Sequence, residues 1–312
     1  MDSSDSDDSE GGLLKRKRIS RMALQENLTG YLFILPNLIG LSVFTLFSIV
    51  FSLFISFTNW NLVGQLNRTS FIGLENYIRI FRDDYFWASL WNNIWFLMVV
   101  PVKILLALVF AVALNQFVIG RQPLRVIYFL PHITNMAAIL VVWNMLFNPE
   151  KGPINSILMS LGVKNPPMWL LDSFWAKPNI AMFDIWSSVG FYTMIYLAAL
   201  QNVNKVLYEA AEIDGAGSFR KFLHITFPLI SPTTFFLMIL MIVGSFQQWS
   251  NIQILTEGGP GNSTHVLGYY IYSMGFNYYQ MGYASAVAWM LCIIIVLFTL
   301  VQFRLQRKWV HY

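Results

Sequence analysis

Polar side chains inside two long apolar runs of this 312-residue chain have the types and spacing that could bind a ligand. Asp184, Ser188 and Tyr192 lie four residues apart, so a helix would place all three on one face. Trp186 belongs to the same run, and a later run ends with a second polar group: Ser245, Gln247 and Gln248. Side chains of this kind rarely face lipid. They predict either a ligand-binding pathway or hydrogen bonds between packed helices.

Other polar residues within apolar runs have plainer interpretations. Lys103 is predicted to pair with a carboxylate, with Asp184 as one partner to test, or to extend its amine toward the membrane surface. Trp249 is either a ligand contact or an anchor at the membrane interface. We expect hydrogen bonds between helices from His132, Asn135 and Asn144.

Motifs for covalent chemistry are missing from the sequence. No stretch matches the GxxxxGK[ST] loop of nucleotide-binding proteins, and none matches HExxH, CxxC or GxSxG. The only cysteine, Cys292, is predicted to be a small packing residue. The sequence therefore predicts no catalytic residue, no metal site and no cofactor within this chain.

The composition is that of an integral membrane protein, because 56% of the residues are hydrophobic and only 12% are charged. A helix needs about 20 mostly apolar residues to cross the bilayer core. Six runs are long enough, which places both termini on the same side. The sequence predicts an all-α membrane protein with six transmembrane helices, at residues 31–57, 93–117, 124–147, 180–203, 227–246 and 283–303.

The positions of Lys and Arg predict the orientation, because these residues gather on the cytoplasmic side. A cytoplasmic N-terminus puts thirteen of them inside and six outside, with Lys103 within a span. The formal net charge of +4 then reflects topology and does not indicate nucleic acid binding. The acidic, serine-rich start predicts a cytoplasmic, partly disordered tail over residues 1–27, followed by a six-span domain over residues 28–312.

One polar segment, residues 204–228, lies between the fourth and fifth runs on the predicted cytoplasmic side. Asn204 can cap a short amphipathic helix, and Gly215 can take the positive φ of a turn. Ser218 can cap a second short helix, after which Pro228 suits the first turn of the fifth span. Two short helices joined by a glycine turn would form a rigid knob that another protein can bind.

The same segment resembles the EAA loop of ABC importer permeases. The pattern is met by Glu209, Ala210, Ala211, Gly215, Ile225 and Pro228, with Phe227 where the family usually has Leu. In that family the loop docks into a cytoplasmic ATPase subunit. The resemblance implies that docking involves Glu209, Ala210, Ala211, Asp214, Gly215, Phe219 and Phe222.

A second resemblance points to the carbohydrate-importing branch of these permeases, which handles oligosaccharides and glycerol phosphate. Its T-x-GGP-x-x-x-T signature is matched by Thr256, Gly258, Gly259, Pro260 and Thr264. The segments FIGLENYIRIF and GYASAVAWML look like the family's outer segment and the start of its last span. The resemblance thus covers residue 31 to the C-terminus.

This resemblance also implies the partners and the location. The family works in the bacterial inner membrane with a second permease subunit, two ATPases that bind ATP and Mg²⁺, and an extracytoplasmic solute-binding protein that delivers the carbohydrate. Asp184, Ser188, Ser245 and Gln248 fall where the maltose permease subunit contacts its sugar, although the residue types differ. That subunit has additional N-terminal spans and a large outer domain, whereas this chain has six predicted spans.

Two other classes of protein stay open at this point. A secondary transporter driven by an ion gradient would use Lys103 and Asp184 as its intramembrane charges. A receptor that does not transport would bind a ligand with its outer loops alone. Against the first stands the absence of an evident second half that repeats the first, together with the docking loop.

Overall fold

The computed structural model describes residues 21–63, 69–115 and 121–310. Within these ranges the chain is helical without a β-strand, apart from an isolated bridge between Thr58 and Phe71. This confirms the predicted all-α class. The α-helices are α1 (Arg21–Gly40), α2 (Phe47–Ser56), α3 (Glu75–Phe81), α4 (Asp84–Leu97), α5 (Val100–Asn115), α6 (Arg121–Ile133), α7 (Met136–Leu146), α8 (Pro153–Ser160), α9 (Ser173–Gln201), α10 (Lys205–Ile213), α11 (Ser218–Lys221), α12 (Phe227–Phe246), α13 (Ser250–Leu255), α14 (Leu267–Tyr272) and α15 (Met281–Gln306).

The chain divides into two units, at residues 1–52 and 53–312. The described part of the first unit is helical from Arg21 and includes a π-helical turn over Leu41–Leu46. Residues 1–20 of the predicted tail lie outside the described residues. The second unit contains every candidate site residue discussed below.

Most of the predicted spans appear as long apolar helices. In the part of the chain that the structure describes, the five helices that could cross a membrane on their own are Thr29–Ser56, Asp84–Asn115, Ser173–Gln201, Ser218–Phe246 and Met281–Gln306. The third predicted span differs, because its two helices, Gln122–Ile133 and Met136–Leu146, meet at an angle of 99°. The described residues therefore contain five candidate spans, or six if the bent pair counts as one.

The bend in the third run has a local cause. Pro131 lies near the end of α6, where it cannot donate a backbone hydrogen bond. The Asn135 side chain then accepts the backbone N–H of Ala138 at 3.2 Å and caps a new helix. The prediction that Asn135 bonds to another helix was therefore wrong. His132 instead stacks on Phe191, with ring centroids 4.5 Å apart.

Small residues set the distance between the helices that surround the fourth span. Ala107 and Ala111 on α5 are fully buried. A Cβ atom on Gly190 of α9 would lie 1.8 Å from the backbone oxygen of Tyr128 on α6. Only glycine fits at this crossing, as is common where membrane helices approach closely.

The segment at residues 204–228 combines a confirmed and a corrected prediction. Asn204 caps α10 by accepting the Val206 N–H at 3.0 Å, as predicted. Ser218 is not a cap, because Gly217 precedes α11 and no side chain caps that end. The second short helix is also not separate, since one helix runs from Ser218 to Phe246. A π-helical turn over Phe222–Thr226 precedes Pro228 and relieves the clash that proline causes in a regular helix.

Candidate functional site

The predicted membrane site centres on an ion pair between two spans. The Lys103 Nζ atom on α5 lies 2.9 Å from the Asp184 Oδ2 atom on α9. The Gln248 Nε2 atom, just beyond α12, donates to the same oxygen at 3.2 Å. These three residues form what we call the membrane polar cluster. Of the two interpretations of Lys103, pairing with Asp184 is the one observed.

Burial explains why the pair forms. The Lys103 side chain is 4% exposed and the Asp184 side chain 19% exposed. A buried ammonium group is costly unless a counter-charge lies beside it. Asp184 is thus the more solvent-accessible member of the pair, and Lys103 is the more deeply buried one.

The predicted stripe lies on α9, which is one continuous helix and carries Asp184, Ser188 and Tyr192 at four-residue intervals. Ser188 is half-buried and donates its hydroxyl to the Asp184 backbone oxygen at 2.5 Å, one turn earlier in the same helix. Tyr192 is also half-buried. Ser188 therefore does not bridge to a second helix through this bond, and its oxygen retains capacity to accept.

Trp186 lies apart from the cluster. It is exposed and stacks on Trp143 with ring centroids 5.6 Å apart. Both rings line an apolar cavity of about 520 Å³ that also contains Pro131 and Met182. The structure thus places Trp186 in a cavity whose lining does not include Asp184.

The end of α12 presents two buried polar atoms that lack a hydrogen-bond partner among the described residues. Ser245 is 2% exposed, and its Oγ atom has no hydrogen-bond partner among the described residues. The Gln248 Oε1 atom is likewise buried and unpaired there. Gln247, by contrast, is exposed. Buried polar atoms normally find a partner, so Ser245 and Gln248 together indicate a place for a hydroxyl-bearing ligand or water.

Asn93 is a buried residue of this region that sequence reasoning missed. Its Nδ2 atom donates to the Ser245 backbone oxygen at 3.2 Å, and its Oδ1 atom accepts the Leu267 N–H at 2.9 Å. The side chain is fully buried. Asn93 therefore fixes the end of α12 to the first residue of α14. The available signal was an amide at the start of the second apolar run.

The Gly-Gly-Pro signature folds into a closed loop within the segment predicted to lie outside, residues 250–280, which we call the outer segment. Its two threonines, Thr256 and Thr264, bond to each other through their hydroxyls at 2.7 Å. Thr264 also donates to the Gly259 backbone oxygen at 2.8 Å. Gly258 has φ +83°, and a Cβ there would lie 2.7 Å from the His265 ring. The signature residues thus have a structural role in shaping this loop.

Polar residues along α4 hold the outer segment in place. Ser89 bonds to His265 Nδ1 at 2.8 Å. Asn92 donates its amide to the backbone oxygens of Asn262 and His265, at 2.9 and 2.7 Å. Asp83, before α4, accepts hydroxyl hydrogen bonds from Tyr270 and Tyr283. These contacts join the outer segment and the start of α15 to α4 and the residue before it.

The free energy of unfolding is predicted to depend on pH through His265, which joins the outer segment to α4. Burial lowers the pKa of this imidazole to about 4, although the Asp83 charge acts in the opposite direction. An unfolded histidine binds its proton near pH 6.5, so acidification below that value favours the unfolded state until the folded histidine also protonates. From pH 7.5 to 5, we expect the wild-type chain to lose about 2 kcal/mol more unfolding free energy than His265→Gln. Unfolding of both proteins in nanodiscs at each pH measures this difference; a difference that does not change with pH would contradict it.

The predicted docking segment is mounted on the fifth span. We call residues 204–217, which comprise α10 and its glycine turn, the α10 element. The Tyr208 hydroxyl bonds to the Thr226 hydroxyl at 2.9 Å. An ion pair of 2.7 Å joins Glu212 to Lys221. Because Thr226 and Lys221 belong to the helix that continues to Phe246, the α10 element is fixed to that span.

The glycine turn has a defined geometry. Gly215 has φ +74° and donates its N–H to the Glu212 oxygen at 3.0 Å, while Ala216 donates to the Ala211 oxygen at 2.8 Å. These two bonds form a Schellman motif, in which a left-handed residue ends a helix. This confirms the predicted turn at Gly215.

The seven predicted docking residues fall into an exposed group and a half-buried group. Glu209, Ala210, Asp214, Gly215 and Phe219 are exposed. Ala211 and Phe222 are half-buried, and Phe222 packs against the core of the second unit. Further apolar side chains on the α10 element are exposed that sequence reasoning did not select for docking: Val206, Leu207 and Ile213.

Within the described ranges, no group of three or more His, Cys, Asp or Glu side chains could hold a metal ion.

Both the sequence and the fold of this chain are similar to those of known transport proteins. Residues 94–311 match the family described as "Binding-protein-dependent transport system inner membrane component". The lactose transport system permease protein LacF of Rhizobium radiobacter is 33% identical over 297 residues, which are 93% of this chain and 98% of that protein. The trehalose/maltose transport system permease protein MalF of Thermococcus litoralis is 33% identical over 292 residues, or 92% and 97% of the two chains.

A solved structure has a similar fold. It is a crystal structure of a bacterial ABC transporter involved in the import of the acidic polysaccharide alginate, with a TM-score of 0.78 and 21% identity. The match covers 92% of this chain and 98% of that chain. At this identity the similarity shows the fold alone.

Proposed function

Because the chain belongs to the family of binding-protein-dependent transport system inner membrane components, and is thus a permease and not an enzyme, we propose that it moves a sugar or oligosaccharide for an ATP-driven importer. An extracytoplasmic binding protein delivers the saccharide. A second permease subunit completes the pathway, and two ATPase subunits bind ATP and Mg²⁺ on the cytoplasmic side.

The observation that carries this proposal is the α10 element. It presents Val206, Leu207 and Ile213 as exposed apolar side chains on a segment that is too polar for the bilayer, and Phe219 is exposed on the helix that follows. Exposed apolar patches on such segments mark surfaces that bind other proteins. The hydroxyl bond between Tyr208 and Thr226 fixes this surface to the span that ends beside Gln248.

Motion of an ATPase bound there is transmitted to the membrane region as a rigid-body rotation. The helix from Ser218 to Phe246 carries the α10 element at one end and Ser245 at the other. Closure of the ATPase dimer on ATP turns this helix and opens the cavity outward, and hydrolysis returns it. In this cycle the chain itself makes and breaks no covalent bond.

The membrane polar cluster supplies the saccharide contacts. Sugars bind through hydrogen bonds to their hydroxyls and through aromatic rings on their apolar faces. Asp184 accepts from Lys103 and Gln248 on one oxygen, and the Ser245 hydroxyl and Gln248 oxygen are buried without partners among the described residues. The named substrates of two relatives, lactose and trehalose/maltose, support a saccharide as the ligand.

Transport is predicted to weaken when the polar contacts of this site are removed. Gln248→Ala combined with Ser188→Leu deletes the amide and blocks the α9 face with an apolar side chain. We expect the half-saturating saccharide concentration to rise about ten-fold, the effect of losing about 1.4 kcal/mol of binding. Basal ATP hydrolysis remains, because neither residue lies in the α10 element. Unchanged transport would assign both residues to helix packing.

An ion-gradient-driven sugar transporter is the second candidate function. The specific observation in its favour is the intramembrane Lys103–Asp184 pair, since such charges often bind coupling ions. The bond between the two side chains is also consistent with a purely structural pair.

Uptake by the reconstituted assembly separates the two functions. The chain, its partner permease and the ATPases are placed in proteoliposomes together with the binding protein, and labelled saccharides are supplied outside. We expect uptake only with ATP inside, and no effect of an ionophore. Uptake that persists without ATP and ATPases but collapses with the ionophore would overturn the proposal. Binding without any accumulation would instead indicate a receptor.

A further inference from the structure

A large cleft lies on the predicted outer side of the chain, away from the membrane polar cluster. Its volume is about 1320 Å³, and it is lined by residues 59–61, by α3 and the start of α4, and by parts of the outer segment and α15. Typical small-molecule pockets measure about 300–1,000 Å³. The cleft is thus large enough for several sugar units, whereas the polar cluster lies deep between spans.

The lining has the mixed chemistry that sugars require. The rings of Tyr85 and Tyr278 are exposed within it, and amide groups come from Asn61, Asn262 and Gln280. Aromatic rings pack against the C–H faces of sugars, while amides bond to their hydroxyls. Ile72, Ile78 and Met274 are the aliphatic side chains in the described lining. A protein-binding pocket would need a more continuous apolar centre.

The walls of the cleft are held in place before a ligand arrives. Asp83 accepts hydrogen bonds from Tyr270 and Tyr283, which joins the start of α4 to α14 and α15. Arg79 lies 4.0 Å from the Tyr283 ring centroid and donates to the Gln280 side chain at 2.9 Å. A preorganised wall loses less conformational entropy when it binds.

The charge of the lining selects among saccharides. Four carboxylates line the cleft against two guanidinium groups, so its described lining carries net negative charge: Glu75, Asp83, Asp84 and Glu257 against Arg79 and Arg82. An anionic sugar would meet this excess of like charge, whereas hydroxyl groups can bond to carboxylates and guanidinium groups alike. Neutral saccharides therefore fit better than acidic ones.

From these features we propose that the outer cleft is a second saccharide site, which binds a neutral oligosaccharide before it reaches the membrane polar cluster. This inference rests on the proposed transport function. The cleft would receive sugar as the binding protein releases it. A polar surface that docks the binding protein itself is the competing occupant, and the experiment distinguishes the two.

The test uses the full transporter in nanodiscs without the binding protein. Saturation-transfer-difference NMR is recorded with three neutral trisaccharides, maltotriose, xylotriose and raffinose, and with trigalacturonate as the acidic probe. We expect at least one neutral trisaccharide to give a signal that exceeds the signal of trigalacturonate. In Tyr85→Ala with Tyr278→Ala, we expect about ten-fold weaker binding, because both stacking rings are lost.

Two controls make the result specific. Trp91→Ala removes an exposed aromatic side chain from α4 that does not line the cleft, and it should leave the signal unchanged. The affinity of each variant for the empty binding protein is measured in parallel and should stay within two-fold of wild type.

Three results would overturn the inference. The first is no signal from any neutral trisaccharide, and the second is an equal signal in wild type and the double tyrosine variant. The third is a double tyrosine variant that keeps the wild-type sugar signal but loses its affinity for the binding protein. That result would make the cleft a docking surface. The proposed transport function fails by a different result, ATP-independent uptake, so the two failures can be told apart.

Discussion

Asp184→Leu is expected to destabilise the folded chain by about 3–5 kcal/mol, because it leaves the Lys103 ammonium buried without its counter-charge. Lys103 is only 3% exposed, so water cannot replace the lost carboxylate. Lys103→Met should cost less, because the Asp184 side chain is 19% exposed and keeps its bond to Gln248.

The double variant provides the matched control. Lys103→Met with Asp184→Leu removes both charges, and replacing a buried ion pair by apolar residues is often neutral for stability. We expect the double variant to unfold within about 1.5 kcal/mol of wild type, so the two substitutions are strongly non-additive. Denaturant unfolding in nanodiscs measures all four proteins. Additive effects would show that the two side chains do not depend on each other.

Transport by the double variant separates a structural role from a ligand-binding role. If Asp184 contacts the saccharide, uptake stays low although stability is recovered. Uptake that recovers together with stability would assign the ion pair to helix packing and leave Gln248 and Ser245 as the binding residues.

Gly215→Pro is expected to lower recovery of the ATPase on co-purification by at least ten-fold. Gly215 has φ +74°, whereas proline is confined to about −65°, and the Gly215 N–H bond to the Glu212 oxygen is also lost. The end of α10 must therefore rearrange, which displaces the exposed apolar surface from its position on the fifth span. Membrane insertion should be unaffected, because the turn lies outside the spans.

Two companion variants sharpen this test. Gly217→Ala is the matched control, because Gly217 has φ −68° and a built Cβ meets no atom within 4 Å. Glu209→Lys reverses the charge of an exposed residue without changing the turn, and it should also reduce ATPase binding. Normal recovery and normal uptake with both Gly215→Pro and Glu209→Lys would contradict docking at the α10 element.

Local signals in the sequence predicted much of the fold. Hydropathy located the long helices, and Asn204 and Gly215 marked the two ends of α10, since capping and positive φ depend on neighbouring residues. The Lys103–Asp184 pair was also foreseeable, because a charge in a span needs a counter-charge. The bend between Ile133 and Met136 was missed, since hydropathy is the same for a straight and a bent run.

Residues that depend on tertiary contacts could not be predicted in this way. Asn93 bonds to Ser245 and Leu267, which are more than 150 residues away. Helical spacing could not exclude Trp186 from the polar cluster, because its position depends on the Trp143 ring of a different helix. The outer cleft combines segments from both ends of the second unit, so no single stretch of sequence indicates it.

Cross-linking from position 210 tests the central claim most directly, that the exposed α10 element binds the ATPase on the cytoplasmic side. The chain has a single cysteine, so Ala210→Cys in a Cys292→Ala background carries one thiol, and Ser70→Cys in the same background is the exposed control on the predicted outer side. A short thiol-to-amine cross-linker should join position 210, but not position 70, to the ATPase of the assembled transporter. A membrane-impermeant maleimide added outside intact cells should label only position 70. Labelling of position 210 from outside, or its failure to cross-link in a transporter that still takes up sugar, would contradict the account.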